Sequence, residues 1–239
     1  MQSYFQKIQH LLYNVIEQEQ ANIEEASTII MERLRKGGIV QLFGCGHSHL
    51  LAQDAHYRAG GLVPVKPITI EPVMLHKGAL TSSRNEKDPN LIKRYASSFD
   101  FKENDVLIVI STSGRNVAPI DVALLAKSAG IVVLSLQSLE YKEQTSRHSS
   151  GKRLEKVVDF VLNTHIPVGD GLLSRQGIQY GPASTVVGST ILNALFCSVI
   201  EKLSNEHNKL PVFESANVSS DQTHNDEMIA KYKSRIEFR

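Results

Sequence analysis

One stretch constrains the fold of this chain more than any other: Asp105-Val106-Leu107-Ile108-Val109-Ile110-Ser111-Thr112-Ser113-Gly114-Arg115-Asn116. Val106 to Ile110 is an unbroken apolar run, which reads as a parallel strand buried on both faces. It runs into a turn of hydroxyl residues and glycine, after which Val117 to Leu125 has helical spacing. A buried strand, a Ser/Thr/Gly turn and a helix start bring loose backbone N–H groups, hydroxyl donors and the positive helix end together, and that combination is an anion site. One capping residue would satisfy the helix start. Ser111, Thr112, Ser113 and Asn116 exceed that need and can surround a phosphate monoester, with its roughly −1.5 to −2 charge and three acceptor oxygens. No lysine stands in the P-loop pattern, which points away from nucleoside triphosphates.

The rest of the chain supplies the partners such a strand needs. Residues 3 to about 36 lack Gly and Pro, and Phe5, Ile8, Leu12, Val15, Ile23, Ala26, Ile30 and Leu34 recur at mostly three- and four-residue steps. This predicts one amphipathic helix or two in succession, ended by Gly37-Gly38. Strands are predicted at 39–43, 65–70, 106–110, 131–136 and 157–162, with Pro67 suiting an edge. Helices are predicted at 50–59, 91–99, 117–128, 182–203 and from about His224. The run Ile191 to Ile200 is nearly all apolar and reads as buried on most sides. The polar connection from Glu71 to Asn90 is long enough to suggest a function. Strands alternating with helices indicate a parallel sheet covered on both faces. No repeat or linker divides 1–239, which reads as a single domain with N-terminal helix 3–36 and a C-terminal arm plus helix over 211–239.

Composition removes several functions. Lys+Arg 26 against Asp+Glu 25 leaves a net charge of +1, so no electrostatic case exists for nucleic acid or an anionic membrane. No window of about 18 residues is apolar throughout, so no membrane span is expected. The N-terminus lacks the pattern of a signal peptide. Two cysteines, Cys45 and Cys197, are too few for a disulfide framework and favour a reducing cytoplasm.

Gly44-Cys45-Gly46-His47-Ser48-His49 partly matches a dinucleotide fingerprint and fails at His49, where a third glycine is required. What remains is a glycine turn that sets Ser48 and His49 at a helix start, on the ligand-binding edge of an open α/β sheet. His47, His49 and His56 cluster with Asp54, but His49 and His56 stand two turns apart, too far to share an ion without a third ligand. His49, Asp54, His56, Glu71, Glu86, Asp221 and His224 are candidate proton carriers at strand ends or in polar loops.

At the two glycine-containing turns the chain resembles the sugar isomerase (SIS) domain family: Gly44-Cys45-Gly46-His47-Ser48 is similar to its first loop, and Ser111-Thr112-Ser113-Gly114-Arg115-Asn116 to its Ser-rich segment. The resemblance implies a three-layer α/β/α sandwich around a five-stranded parallel sheet in flavodoxin-like order. It implies that Ser111, Thr112, Ser113 and Asn116 hold the phosphate of a phosphosugar, with Ser48 reaching in from the first loop. It also implies a homodimer or higher homo-oligomer. Within the family the chain resembles phosphoheptose isomerase-like proteins of an uncharacterised bacterial group, through Ser146 to Leu154, Gly169-Asp170, Gly181 to Thr185 and Ser215-Ala216-Asn217.

It departs from phosphoheptose isomerases where they carry a His and a Glu four apart, here Asp54 and Arg58, and a later Gln and His, here near Ser184 and Leu192. Arginine is no base at neutral pH and leucine binds no metal, so neither a metal site nor a cofactor is expected. The expectation is a cytoplasmic aldose–ketose phosphosugar isomerase with Glu86 and His49 as acid/base groups, joined by His224 or Asp221 from the C-terminal arm. The alternatives are a sensor that binds a phosphosugar without turnover, and a lyase or etherase acting on an amino-sugar phosphate.

Overall fold

The structure is a computed structural model and describes residues 2–204, 209–218 and 221–238. Ser219 and Ser220 of the expected C-terminal arm lie outside the described residues.

Helix α1 (Gln2–Arg35) is continuous and buries Ile8, Leu11, Val15, Ala26, Ile30 and Met31 along one face. It ends as the glycine pair predicts: Gly37 N–H donates to the Leu34 carbonyl (3.0 Å) and Gly38 N–H to that of Arg33 (3.1 Å), the paired bonds of a Schellman cap. The sheet contains β1 (Val40–Gly44), β2 (Val65–Pro67), β3 (Val106–Ile110), β4 (Val132–Gln137) and β5 (Phe160–Asn163), in the order β2-β1-β3-β4-β5 with every pair parallel. This is the expected five-stranded parallel sheet in flavodoxin-like order. The expected edge strand stops at Pro67, and the fifth strand starts three residues later than its apolar run.

Both faces of the central strand are covered, as its unbroken apolar run requires. Val106, Ile108 and Ile110 join α1, α2 (His47–Asp54) and α6 (Ser184–Ser204) in one core. Leu107 and Val109 point the other way, into a second core with α4 (Leu91–Arg94) and α5 (Val117–Ser128). The connection 71–90 folds into two 3₁₀ turns and helix α3 (Ala79–Asn85). Helix α2 starts earlier than periodicity suggests and ends before Tyr57, whose φ of 49° lies outside helical space. The expected helix 91–99 shrinks to α4 and one 3₁₀ turn.

Two features correct the sequence reading. An antiparallel hairpin, β6 (Gly171–Arg175) and β7 (Ile178–Pro182), precedes α6, turning through Gln176 and Gly177 at φ 53° and 78°. Helix α6 is long and apolar enough, by length and composition, to cross a membrane, with a mean hydropathy of 1.5 over its most apolar window. Here its inner face, including Ile191, Leu192, Leu195 and Val199, packs into the core with α1, while Asn193, Ala194 and Cys197 are exposed. It is therefore buried on one side only.

Helix α7 (Thr223–Tyr232) closes the chain against the β1–β2 side. Phe213 packs with Val63 and Met228, the Tyr57 and Phe213 rings meet edge to face at 4.8 Å, and bridges join Ala59 to Phe213 and Leu62 to Val212.

Candidate functional site

The site forms where β1 and β3 end side by side, Gly44 being in register with Ile110. A Cβ on Gly44 would lie 2.6 Å from the Ser48 backbone, so glycine there is what lets the first loop fold back tightly enough to start α2. The second turn is held by its own backbone. Ser111 N–H donates to the Leu136 carbonyl (3.0 Å), the Thr112 carbonyl accepts from Ser138 N–H (2.9 Å), and Gly114 N–H closes onto the Ser111 carbonyl (3.1 Å). Gly114 has φ 59°, and a Cβ there would sit 2.4 Å from Gln137 Oε1.

With the main chain so committed, the side chains are left over. Among the described residues the hydroxyls of Ser48, Ser111, Thr112 and Ser113 have no hydrogen-bond partner. Ser48 and Thr112 are half-buried and line a cleft of about 570 Å³, while Ser111, buried at the strand end, and half-buried Ser113 stand beside Thr112 and are not among the cleft-lining residues. The N-terminus of α5, a helix of twelve residues, starts directly behind the turn, and its dipole favours negative charge there, although in its first turn Ala118 N–H donates to the Glu86 carbonyl and Pro119 has no N–H to offer.

The loop 146–153 packs behind this turn. Arg153 donates from Nη2 to the Ser113 carbonyl (2.7 Å) and from Nε to Glu155 Oε1 (2.6 Å). Arg147 N–H donates to the Arg115 carbonyl (2.8 Å), and its Nη1 to Asn116 Oδ1 (2.7 Å). Burial, with the charges of Arg147 and Arg153, holds the Arg115 guanidinium below its usual range. The turn thus has guanidinium groups at its back, Arg115 from its own stretch and Arg147 and Arg153 from the later loop.

Glu86 follows α3 and lines the cleft. Its carbonyl accepts the N–H of Ala118 (3.0 Å), which ties α3 to the start of α5. Burial raises the Glu86 carboxyl above the ordinary range, opposed by the Asn116 side chain and by Lys87 and Arg147. Asn116 is therefore turned to Arg147 and Glu86 and is not among the cleft-lining residues.

The other candidates separate. His49 is only 2 % exposed, lies behind the loop, and has no partner for Nε2. Burial and then His76 depress its pKa. Asp221 accepts from Thr223 N–H (2.9 Å) and Thr223 Oγ1 (2.6 Å) at the start of α7. His224 Nε2 is 2.8 Å from the Val212 carbonyl. Neither Asp221 nor His224 lines the cleft, because the Phe213 cluster holds the arm at the β1–β2 side. His56 Nδ1 meets the Val65 carbonyl at 3.0 Å, and Glu71 pairs with Lys77 at 3.2 Å. Asp54 pairs with Arg58 on the exposed side of α2.

The far wall contains Ser82 and Ser83 of α3, from the connection expected to have a function, and Asp170, Ser184 and Thr185 near the start of α6, to which the sequence reading assigns no role. Asp170 Oδ1 accepts from Ser184 N–H (2.8 Å), and its Oδ2 from the Ser184 hydroxyl (2.8 Å).

Residues 3–138 match the family model described as SIS domain. A UPF0309 protein of Lysinibacillus sphaericus, described as lying in the nagA 3′ region, is 51% identical over 238 residues, covering 100% of this chain and 98% of the relative. Among solved structures, a phosphoheptose isomerase from Francisella tularensis superposes with a TM-score of 0.55 at 17% identity, over 83% of this chain and 95% of that one. The Vibrio vulnificus NanR protein complexed with ManNAc-6P gives 0.54 at 20% identity, over 84% and 62% respectively. At these identities the structures share the fold.

Proposed function

The chain belongs to the SIS domain family, and from that premise we propose that its cleft binds a sugar phosphate and interconverts aldose and ketose forms. The observation that supports this most is the set of unpartnered hydroxyls at Ser48, Ser111, Thr112 and Ser113, in front of a helix N-terminus and guanidinium groups. A phosphomonoester, with nearly two charges and three acceptor oxygens, is a ligand these donors fit. The fold neighbour bound to ManNAc-6P and the phosphoheptose isomerase are consistent with that ligand class.

Isomerisation moves a proton between C1 and C2 of the sugar through an enediolate, and needs one base near that end while the phosphate is anchored away from it. Glu86 is our assignment. It lines the cleft, and its raised pKa brings its proton affinity closer to neutrality, where a general acid/base works best. His49 is a weaker assignment, since its buried ring must first be reached by a proton. No metal-assisted heptose chemistry is part of the proposal: the corresponding positions hold the Asp54–Arg58 ion pair and the buried Leu192.

Those same positions favour a second reading, a sensor that binds a sugar phosphate without turning it over. Incubation with a panel of aldose and ketose phosphates, followed by NMR, separates the two. A new ketose or anomeric signal, lost on the order of 100-fold or more in Glu86→Gln with binding retained, is the expected result. Thermal stabilisation by a ligand that is never converted would instead establish the sensor. A second copy of the chain is part of either reading. Phe5, Tyr13 and Ile16 on α1, and Ile178 and Tyr180 on the hairpin, leave large apolar side chains exposed, and light scattering showing only monomer would remove it.

A further inference from the structure

A small recess adjoins the cleft and shares His47, Ser48, Thr112, Ser184 and Thr185 with it. Its inner wall comes from the carboxyl ends of β3 and β4, at Ile110 and Leu136, from Thr164 just after β5, and from Gly188 of α6. Its volume is about 40 Å³. One water needs about 10–15 Å³ of such space, so the recess takes a hydroxyl-sized group and is far too small for a sugar ring.

Besides the unpartnered hydroxyls of Ser48 and Thr112 at its border with the cleft, two groups in the recess have one-sided hydrogen-bonding needs. Thr164 is 4 % exposed, and its Oγ1 is buried with no partner. Buried hydroxyls are nearly always paired, so this one is a donor lacking an acceptor. Ser184 is the reverse case. Its hydroxyl proton goes to Asp170 Oδ2 (2.8 Å), while Asp170 Oδ1 accepts the Ala183 (3.1 Å) and Ser184 (2.8 Å) N–H groups. A carboxylate has no proton to return, so the Ser184 oxygen offers lone pairs alone. A group that satisfies both needs must accept from Thr164 and donate to Ser184. A hydroxyl does both. An ether or carbonyl leaves the Ser184 lone pairs unmet, an ammonium or amide N–H leaves the Thr164 proton without an acceptor, and a methylene meets neither.

We infer that this recess is a hydroxyl-reading subsite, in which Thr164 and the Asp170-oriented Ser184 select a sugar phosphate carrying a free hydroxyl at one ring or chain position. The inference rests on the phosphate-anchor reading above and adds to it a hydroxyl that the same ligand must carry within reach of Ser48 and Thr112. A deoxy sugar, or one whose hydroxyl is replaced by a substituted nitrogen at that position, is discriminated against because the buried Thr164 hydroxyl or the Ser184 lone pairs go unmet.

Calorimetry tests this with inorganic phosphate, glucose 6-phosphate, fructose 6-phosphate and the monodeoxy analogues of whichever hexose phosphate binds more tightly. Thr164→Val, which keeps shape and removes the hydroxyl, should weaken that hexose phosphate about ten-fold and leave inorganic phosphate unchanged. Thr164→Ser should restore the affinity. One monodeoxy analogue should bind the wild type about ten-fold more weakly than the parent and lose nothing further in Thr164→Val, since the interaction is already absent. Parent binding unchanged by Thr164→Val, or an equal loss for every analogue, would overturn the subsite. Inorganic phosphate binding that is indifferent to Ser111→Ala/Ser113→Ala would bring down the anchor reading instead. A wild type that binds no hexose phosphate overturns both.

Discussion

The two ends of β3 are a contrast in how polar groups are used. At the base of the strand Asp105 is fully buried, and its carboxylate accepts from Ile39 N–H (3.0 Å), Gln41 Nε2 (2.8 Å), Lys102 N–H (2.9 Å) and Arg235 Nη2 (2.7 Å). At the other end, five residues of apolar strand away, the hydroxyls of Ser111, Thr112 and Ser113 have no partner among the described residues. At the base the carboxylate itself is saturated, joining the start of β1, the turn before β3 and the C-terminal segment through one charge, while Gln41 Oε1 and Arg235 Nε beside it have no hydrogen-bond partner. The top is held by its backbone and unsaturated in its side chains, the pattern expected of the ligand site proposed there and not of a structural one.

The contrast predicts opposite consequences for removing polar atoms at the two ends. The largest effect belongs to the base. Asp105→Ala leaves the Arg235 guanidinium and the Ile39 N–H without their acceptor, and removing one member of a buried, hydrogen-bonded pair costs about 3–5 kcal/mol. Urea unfolding should show that loss. A change within 1 kcal/mol would mean that water takes over the carboxylate's role and that the base is not saturated in the sense argued. Next comes the top. Ser111→Ala with Ser113→Ala removes two donors to a charged group, about 1.5–3 kcal/mol each, so sugar-phosphate affinity should fall on the order of 100-fold or more. Folding stability should hold within about 0.5 kcal/mol, because no protein partner is lost. Unphosphorylated sugar should be affected far less. A pair of alanines that lowers stability as much as affinity would erase the distinction between the ends.

What was legible in the sequence follows the same division between local and assembled features. The central strand, the Ser-rich turn and the helix behind it are contiguous, so their chemistry is spelled out in one stretch. The parallel sheet follows from apolar runs alternating with helical periodicity. The far wall of the cleft is assembled from separate segments of the chain. Asp170 and Ser184 were visible only as parts of the family resemblance and Thr164 had no pattern at all, and only the docking of α6 against the ends of β3 and β4 brings Ser184, held by Asp170, to the recess beside Thr164. The hairpin before α6 was missed because its turn is Gln176-Gly177, where Asn or Asp ahead of the glycine is the usual signal. His49 stands next to Ser48 in sequence, but one helical step of about 100° takes it from the cleft to the buried side of α2. His224 and Asp221 lie in a polar segment that looks suited to reach a ligand, and nothing in its polarity says on which side of the sheet Phe213 will anchor it.

The smallest predicted effect sharpens the comparison within a single residue, because Glu86 stands at the unsaturated end and carries a charge. Burial raises its carboxyl pKa in the folded protein, while Asn116, Lys87 and Arg147 only partly compensate. Between the unfolded value of about 4.3 and the higher folded value, the native state binds the extra proton, so its stability falls as pH rises through that interval. The contribution is intact below the unfolded pKa and is lost above the folded one. Glu86→Gln, which keeps the shape and removes the charge, should therefore raise the melting temperature at pH 7–8 by a few degrees at most. That advantage should shrink as pH falls towards 4, where the wild-type carboxyl is itself protonated. Asp105 sets the opposite standard, since its removal should destabilise at neutral pH. Thermal melts of Glu86→Gln against wild type from pH 4 to 8 measure the sign directly. A variant less stable than wild type at pH 8 would place Glu86 with Asp105 as a structural carboxylate and end its claim to be the group that moves the substrate's proton.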